Sequence, residues 1–273
     1  MPDVGGLRRT ALENRKKVLA MLFESQSGHP GGSLSVIDMI TALYELKVDF
    51  SKKERSRVIL SKGHAVPAVY AELHTKGIIC DDEMHTLRKF GSRLQGHPSV
   101  LKIPELDAST GLLGQGLSIG VGMALAKKIH GDPHKVYVVC GDGEMMEGQI
   151  YEALTQAAFY QLDNLVLIID HNHLCLSGPI RDVMDLGDIG AKLASFGWQV
   201  LGIDGHDMEQ IAGALEQVDA PHGGPIAIIG DTIKGKGVSF MENQADWHGG
   251  VMTARQYALA LAELDTEREA FNV

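Results

Sequence analysis

The stretch that most constrains the fold is residues 135–174, KVYVVCGDGEMMEGQIYEALTQAAFYQLDNLVLIIDHNHL. Two apolar runs frame it, 135–140 (KVYVVC) and 164–170 (NLVLIID), both short, rich in β-branched residues and nearly uncharged. Such runs read as strands covered on both faces, as in a parallel sheet. Residues 149–162 between them have the length and composition of the crossover helix that a parallel pair requires. The unit is strand–turn–helix–strand. It predicts an α/β chain whose central, mostly parallel sheet of five or six strands carries helices on both faces.

Each strand ends in a polar turn. The first delivers Asp142 between Gly141 and Gly143, the second Asp170, His171 and Asn172. Strand ends of a parallel sheet face one crevice, and ligands bind there. A carboxylate and an amide oxygen are hard donors suited to Mg²⁺ or Ca²⁺. The flanking glycines permit close backbone approach, and a helix starting near Gly148 would aim N–H groups at a phosphate. A lone GDG is also compatible with nothing more than a tight turn. Here it is followed by EG, a crossover helix and DHN, with Asn172 thirty residues after Asp142. That series resembles the signature of thiamine-diphosphate (ThDP) enzymes. The resemblance implies a ThDP-binding fold in which Asp142, Asn172 and the backbone carbonyl of Leu174 hold the metal.

The formal charge of −10, from 25 basic and 35 acidic residues, argues against nonspecific nucleic-acid binding and makes any phosphate site local. Cys80, Cys140 and Cys175 are far apart and form no C-x-x-C pair, which suits three buried thiols in a reducing compartment. The first 20 residues are charged and lack a signal peptide's apolar core, and no run of 18 apolar residues exists. A cytosolic protein without a membrane span is expected, folded as one domain over residues 1–273.

In chain order, residues 7–25 read as a helix. SQSGHPGGSLS breaks it and places His29 in a glycine-rich loop, with Ser33 or Ser35 capping a helix over 36–47. Residues 57–60 (RVIL) form a brief strand, and SKGHA puts His64 at a strand-to-helix turn, with a helix over 67–76. GSRLQGHPS puts His97 in a third loop of the same kind. These histidines lack the H-x-x-x-H spacing of zinc enzymes and suit proton transfer and hydrogen bonding to an oxygen-rich substrate. STGLLGQG runs into a helix, but the segment before it is not a strand and no G-K-[ST] follows, so it is not a dinucleotide site. Beyond the central unit the reading is a loop over 177–185, helices over 188–196 and 208–218, strands over 198–203 and 225–231, and a charged helix over 252–270. His206 suits a turn or cap. Lys234 and Lys236 suit either phosphate or solvent, and His248 follows an exposed-looking Trp247.

SGHPGGSLS, SKGHA, GSRLQGHPS, TGLLGQG, GDGEMMEGQIYEA, DHNHL, DGHD, KGKG and DWHGG stand in the order found in transketolase, and the resemblance covers nearly the whole chain. It is similar to that family's N-terminal, diphosphate-binding portion, and a chain of this extent resembles the smaller subunit of a two-chain transketolase. The resemblance implies ThDP- and Mg²⁺-dependent transfer of a two-carbon ketol unit from a ketose (phosphate) to an aldose (phosphate). It puts Gly143 on the diphosphate, His64 and His248 near it, and His29 and His97 on donor hydroxyls, with His248 also in proton transfer. Gly111 and Leu113 match the loop touching the aminopyrimidine ring. Glu147 and Glu152 match acidic residues at the subunit contact linking two active sites. A partner chain carrying the pyrimidine-binding and C-terminal domains is implied, two copies of each. Leu112 replaces a usual proline, and His171 and His173 vary around the asparagine. The alternatives are a deoxyxylulose-phosphate synthase, the alpha chain of a 2-oxo acid dehydrogenase, and a noncatalytic regulatory subunit. The ordered SGHPGG, SKGHA and GHPS motifs favour transketolase over the two enzymes, and the retained histidines and Asp142 speak against the regulatory reading.

Overall fold

The computed structural model describes residues 2–221 and 223–271. In chain order the elements are α1 (Val4–Ser25), α2 (Pro30–Lys47), β1 (Arg57–Leu60), α3 (Val66–Thr75), α4 (Asp81–Met84), α5 (Gln115–His130), β2 (Val136–Gly141), α6 (Gly148–Phe159), β3 (Leu165–His171), β4 (Leu174–Cys175), β5 (Gly178–Pro179), α7 (Ile180–Met184), α8 (Ile189–Ser195), β6 (Gln199–Asp204), α9 (Met208–Gln217), β7 (Ile226–Asp231) and α10 (Ala254–Phe271). Five strands form one all-parallel sheet in the order β1-β2-β3-β7-β6, and β4 pairs antiparallel with β5. The expected α/β architecture is therefore present.

Alternation along the strands divides the core in two. Val58, Leu60, Tyr137, Val139, Val166, Ile168, Ile226 and Ile228 pack with α1, α2, α3, α9 and α10. Ile59, Val136, Val138, Cys140, Leu165, Leu167, Ile169 and Ala227 pack with α5, α6 and α8. Both strand faces are covered, which is why the runs read as continuously apolar. Each fully buried aliphatic side chain contributes about 1.5–3 kcal/mol. Helix α5 lies close to the sheet because Gly116 and Gly120 face it: a Cβ at Gly120 would run into Val138, and one at Gly116 into Ser61.

Several local expectations are corrected. Helix α2 begins at Pro30, not at residue 36, so Ser33 and Ser35 lie inside it and cap nothing. Proline suits the first helical position because its φ is preset and no N–H is needed there. The N-cap position falls to His29. Ser33 Oγ instead donates to the His29 carbonyl at 2.8 Å, and Ser35 Oγ to Asp170 Oδ2 at 2.6 Å. The loop expected over 177–185 contains β5 and α7. Trp247 is half-buried against Phe240, with ring centroids 5.5 Å apart. Of the three cysteines only Cys140 is buried; Cys80 is exposed beside α4 and Cys175 is half-buried beside the cavity. Among the described residues no helix is long and apolar enough to cross a membrane.

His206 is structural, as its turn position suggested. Ile233 N–H donates to its Nε2 at 2.8 Å, so its Nδ1–H donates to Asp38 Oδ2 at 2.7 Å. Asp38 also accepts from Arg15, whose guanidinium holds the carboxyl below its usual range despite complete burial. This network ties α1 and α2 to the loops after β6 and β7.

Candidate active site

The C-terminal ends of β1, β2 and β3 open into a cavity of about 390 Å³ lined by His29, Gly32, Lys62, His64, His97, Gly111, Leu113, Gly141, Asp142, Gly143, Glu144, Asn172, Leu174, Cys175, Leu176, Ser177, Lys234 and His248. Four histidines expected from separate loops thus share one chamber. His29 and His64 ring centroids are 5.0 Å apart, His64 and His248 5.1 Å, and His29 and His248 5.5 Å. A wider groove lies elsewhere, between Arg57, Asp107, Lys127 and His134, and holds none of the expected site residues.

The histidines are neutral at physiological pH. Burial, followed by the Arg88 charge, depresses His29 to about 4. Burial and Lys62 depress His64 to about 2, and burial and Lys234 depress His248 to about 3. His97 is lowered by burial and Arg88. A neutral imidazole offers one donor and one acceptor nitrogen, the state needed to bind a hydroxyl and exchange its proton. Lys234 Nζ donates to His248 Nδ1 at 2.9 Å, which leaves the His248 proton on Nε2.

Asp142, Asn172 and the Leu174 carbonyl converge on the same cavity. Asp142 accepts from Gly143 N–H at 2.8 Å and His173 N–H at 2.5 Å. Burial and neighbouring Asp170 still push its carboxyl up to about 6, the signature of a buried anion short of positive charge. Asn172 Nδ2 donates to Asp170 at 3.1 Å, and its Oδ1 accepts from Leu174 N–H at 3.2 Å. The Leu174 carbonyl accepts from Lys234 Nζ at 2.9 Å, so an ammonium already sits on one of the three oxygen donors. A carboxylate, an amide oxygen and a backbone carbonyl, with an adjacent carboxylate raising the negative potential, fit a hard divalent cation.

A family profile described as "Transketolase, thiamine diphosphate binding domain" matches residues 9–273. The chain belongs to the transketolase family. It is 44% identical over 262 residues to a subunit of the apulose-4-phosphate transketolase of Phocaeicola vulgatus, covering 94% of this chain and 93% of that one. It is 39% identical over 258 residues to a 6-deoxy-6-sulfo-D-fructose transketolase subunit of a Clostridium species, again with over nine-tenths of both chains covered. Human transketolase is 37% identical over 251 residues, which are 89% of this chain and 39% of the human one. Among solved structures, the Campylobacter jejuni transketolase superposes with a TM-score of 0.88 at 31% identity, over 97% of this chain and 43% of that chain. In extent the chain therefore corresponds to the two subunit relatives and to under half of the solved Campylobacter chain.

Within this transketolase fold, the helix start expected to face phosphate does not line the cavity. The turn Gly143–Met146 intervenes, and Gly143 N–H is taken by Asp142. Glu147 and Glu152 are exposed and lie outside the cavity lining, Glu147 at the N-cap of α6 and Glu152 within its first turns. Gly111 and Leu113 do line it.

Lys62 and Glu144 escaped the sequence reading of the transketolase site. Lys62 is buried, pairs with Asp170 and donates to the Gly32 carbonyl at 3.0 Å. Lys234, left open between phosphate and solvent, is buried in the cavity and depressed to about 8, first by burial and then by Lys62. Lys236 takes the other alternative, half-exposed and 3.7 Å from Glu242. Glu144 is a buried carboxylate bonded to Ser61 Oγ, Gly114 N–H and Gly141 N–H, and it ties the glycine loop to the strand ends. Position within SKGHA and GDGE was the available signal for Lys62 and Glu144.

Proposed function

We propose that the chain is the diphosphate-binding subunit of a two-chain transketolase. It moves a two-carbon ketol unit from a ketose or ketose phosphate to an aldose or aldose phosphate. The observation that carries this reading is the single cavity in which four neutral histidines meet the oxygen donors Asp142, Asn172 and Leu174. When bound, thiamine diphosphate supplies the electron sink for carbon–carbon cleavage and Mg²⁺ neutralises its diphosphate.

The chain's own residues do the rest. Asp142, Asn172 and the Leu174 carbonyl would hold the metal, with Ca²⁺ an acceptable substitute. Gly143 and His64 would meet the diphosphate, and Gly111 and Leu113 the aminopyrimidine ring. Buried Lys62 and Lys234 concentrate positive charge in a chain of net charge −10, which draws phosphate locally. His29 and His97 bind donor hydroxyls. His248, oriented by Lys234, gives up the proton on its Nε2 and then takes it back. Exposed Glu147 and Glu152 belong to the partner contact. The partner brings the pyrimidine-binding half, two copies of each chain assemble, and the complex works in the cytosol on carbohydrate phosphates such as those of the pentose phosphate pathway. Residues 1–273 act as one domain in it.

The test compares ketol transfer by the purified chain, with ThDP and Mg²⁺, and by the same chain recovered with its cellular partner. Turnover only in the recovered complex is expected. Full turnover by the chain alone removes the partner from the proposal, and turnover by neither removes the ketol-transfer assignment.

A further inference from the structure

Outside the cavity, three ligand-bearing side chains meet on the rim of the sheet. His171 ends β3, Asp231 ends β7, and the two are register partners across the sheet. His173 stands two residues on, with its backbone in the left-handed region at φ 63°. That turn sends the His173 N–H inward to Asp142 and leaves its imidazole largely exposed beside Asp231, Nε2 to Oδ1 2.7 Å. The His171 and His173 rings lie 4.0 Å apart, centroid to centroid. One ligand atom from each of His171, His173 and Asp231 lies within 4.8 Å of the other two.

We propose that His171, His173 and Asp231 form a second metal site, for a transition-metal ion of the Zn²⁺ class, distinct from the Asp142–Asn172–Leu174 site. Two imidazoles and one carboxylate select Zn²⁺, Co²⁺ or Ni²⁺ over Mg²⁺, whose ligands are oxygens. Metal–ligand bonds of about 2.0–2.1 Å put tetrahedral ligand atoms about 3.4 Å apart, within reach of small side-chain rotations from the present spacing. The ion would replace the proton now shared by His173 and Asp231. Three protein ligands on an exposed rim leave a fourth position to water or to a ligand oxygen. The Asp231 carbonyl accepts from Gly205 N–H at 2.8 Å and the His171 carbonyl from Thr232 N–H at 3.1 Å, so the strand ends carrying two of the ligands are braced. His173 belongs to both sites at once, by its N–H to the inner one and by its imidazole to the outer.

The test is calorimetric titration of the purified chain with Zn²⁺ in excess Mg²⁺, with Co²⁺ absorption as a second readout. One equivalent should bind to the wild type and to His64→Asn, which disrupts the histidine chamber. His173→Asn keeps a residue tolerant of the left-handed backbone, and Asp231→Asn lies on the surface, so both variants should fold, checked by circular dichroism. Each should weaken Zn²⁺ at least about tenfold. Affinity unchanged in both folded variants, no Zn²⁺ bound by the wild type, or loss of Zn²⁺ in His64→Asn alone would each overturn the proposal, the last by moving the ion into the cavity.

Discussion

The Glu144 carboxylate bonds three elements at once: Ser61 Oγ after β1, Gly114 N–H at 2.8 Å before α5, and Gly141 N–H at 3.2 Å at the end of β2. Burial raises its pKa, and the hydrogen bonds oppose that rise. Glu144→Gln keeps the volume but turns one acceptor into a donor facing donors. It should cost roughly 1–3 kcal/mol, read as a lowered denaturation midpoint. The neighbouring Asp142 is shifted the same way. Its carboxyl is already raised to about 6 by burial and Asp170, so its charge does not stabilise the fold. Asp142→Ala should change the melting temperature by less than about 4 °C while abolishing Mg²⁺-dependent ThDP binding in the assembled complex. Unchanged ThDP affinity there would take Asp142 out of the metal site.

Helix α5 carries its constraint in the spacing of its glycines. Gly120 has Val138, Leu165 and Ile59 directly beneath it, whereas a Cβ at Gly122 meets nothing within 4 Å. Gly120→Ala must push the helix off β2, at a cost of about 1–3 kcal/mol. Gly122→Ala, on the exposed face, should be neutral or stabilising by up to about 1 kcal/mol. Chemical denaturation of the two variants separates packing from helix propensity, and equal effects would refute the close approach. The sequence carries glycines at this spacing, but which strand they meet only the fold shows. Helix α2 shows the same limit. Its turn-rich GHPGG was read as a loop, because propensity disfavours glycine in helices. Burial of Gly31 against Lys234 and Trp247, and of Gly32 near Lys62 and His64, is a tertiary reason for glycine there.

Across the whole molecule, pH should act on stability through Glu72, fully buried between α1 and α3. Asn14 Nδ2 donates to it at 2.6 Å, and burial, then Glu45, raises its carboxyl to about 8. The folded chain therefore keeps a proton that the unfolded chain releases near 4.5. The stabilisation is complete below that unfolded value and is lost as pH rises through the folded one. Glu72→Gln should flatten this decline and exceed wild type by roughly 1–3 kcal/mol above pH 8. Parallel wild-type and variant profiles across that window would show that Glu72 is not the group responsible.

The sequence by itself determined the strand–turn–helix–strand unit, the α/β class, and the residue types that line the cavity. Asp142 and Asn172 belong to one unit whose geometry is local, and His29, His64, His97 and His248 stand in motifs that name themselves. Tertiary structure decided which of these meet and what surrounds them. Strand β7 inserts between β3 and β6. That placement brings Thr232 to Asp170 at 2.5 Å, Asp231 to His173, and Lys234 to Leu174 and His248. An apolar pattern records that a strand is covered on both faces, not which strand lies beside it, because every parallel neighbour presents the same backbone ladder. Lys62 meets Asp170, Lys234 meets Leu174 and His248, and His173 meets Asp231 only once the strands have taken these neighbours.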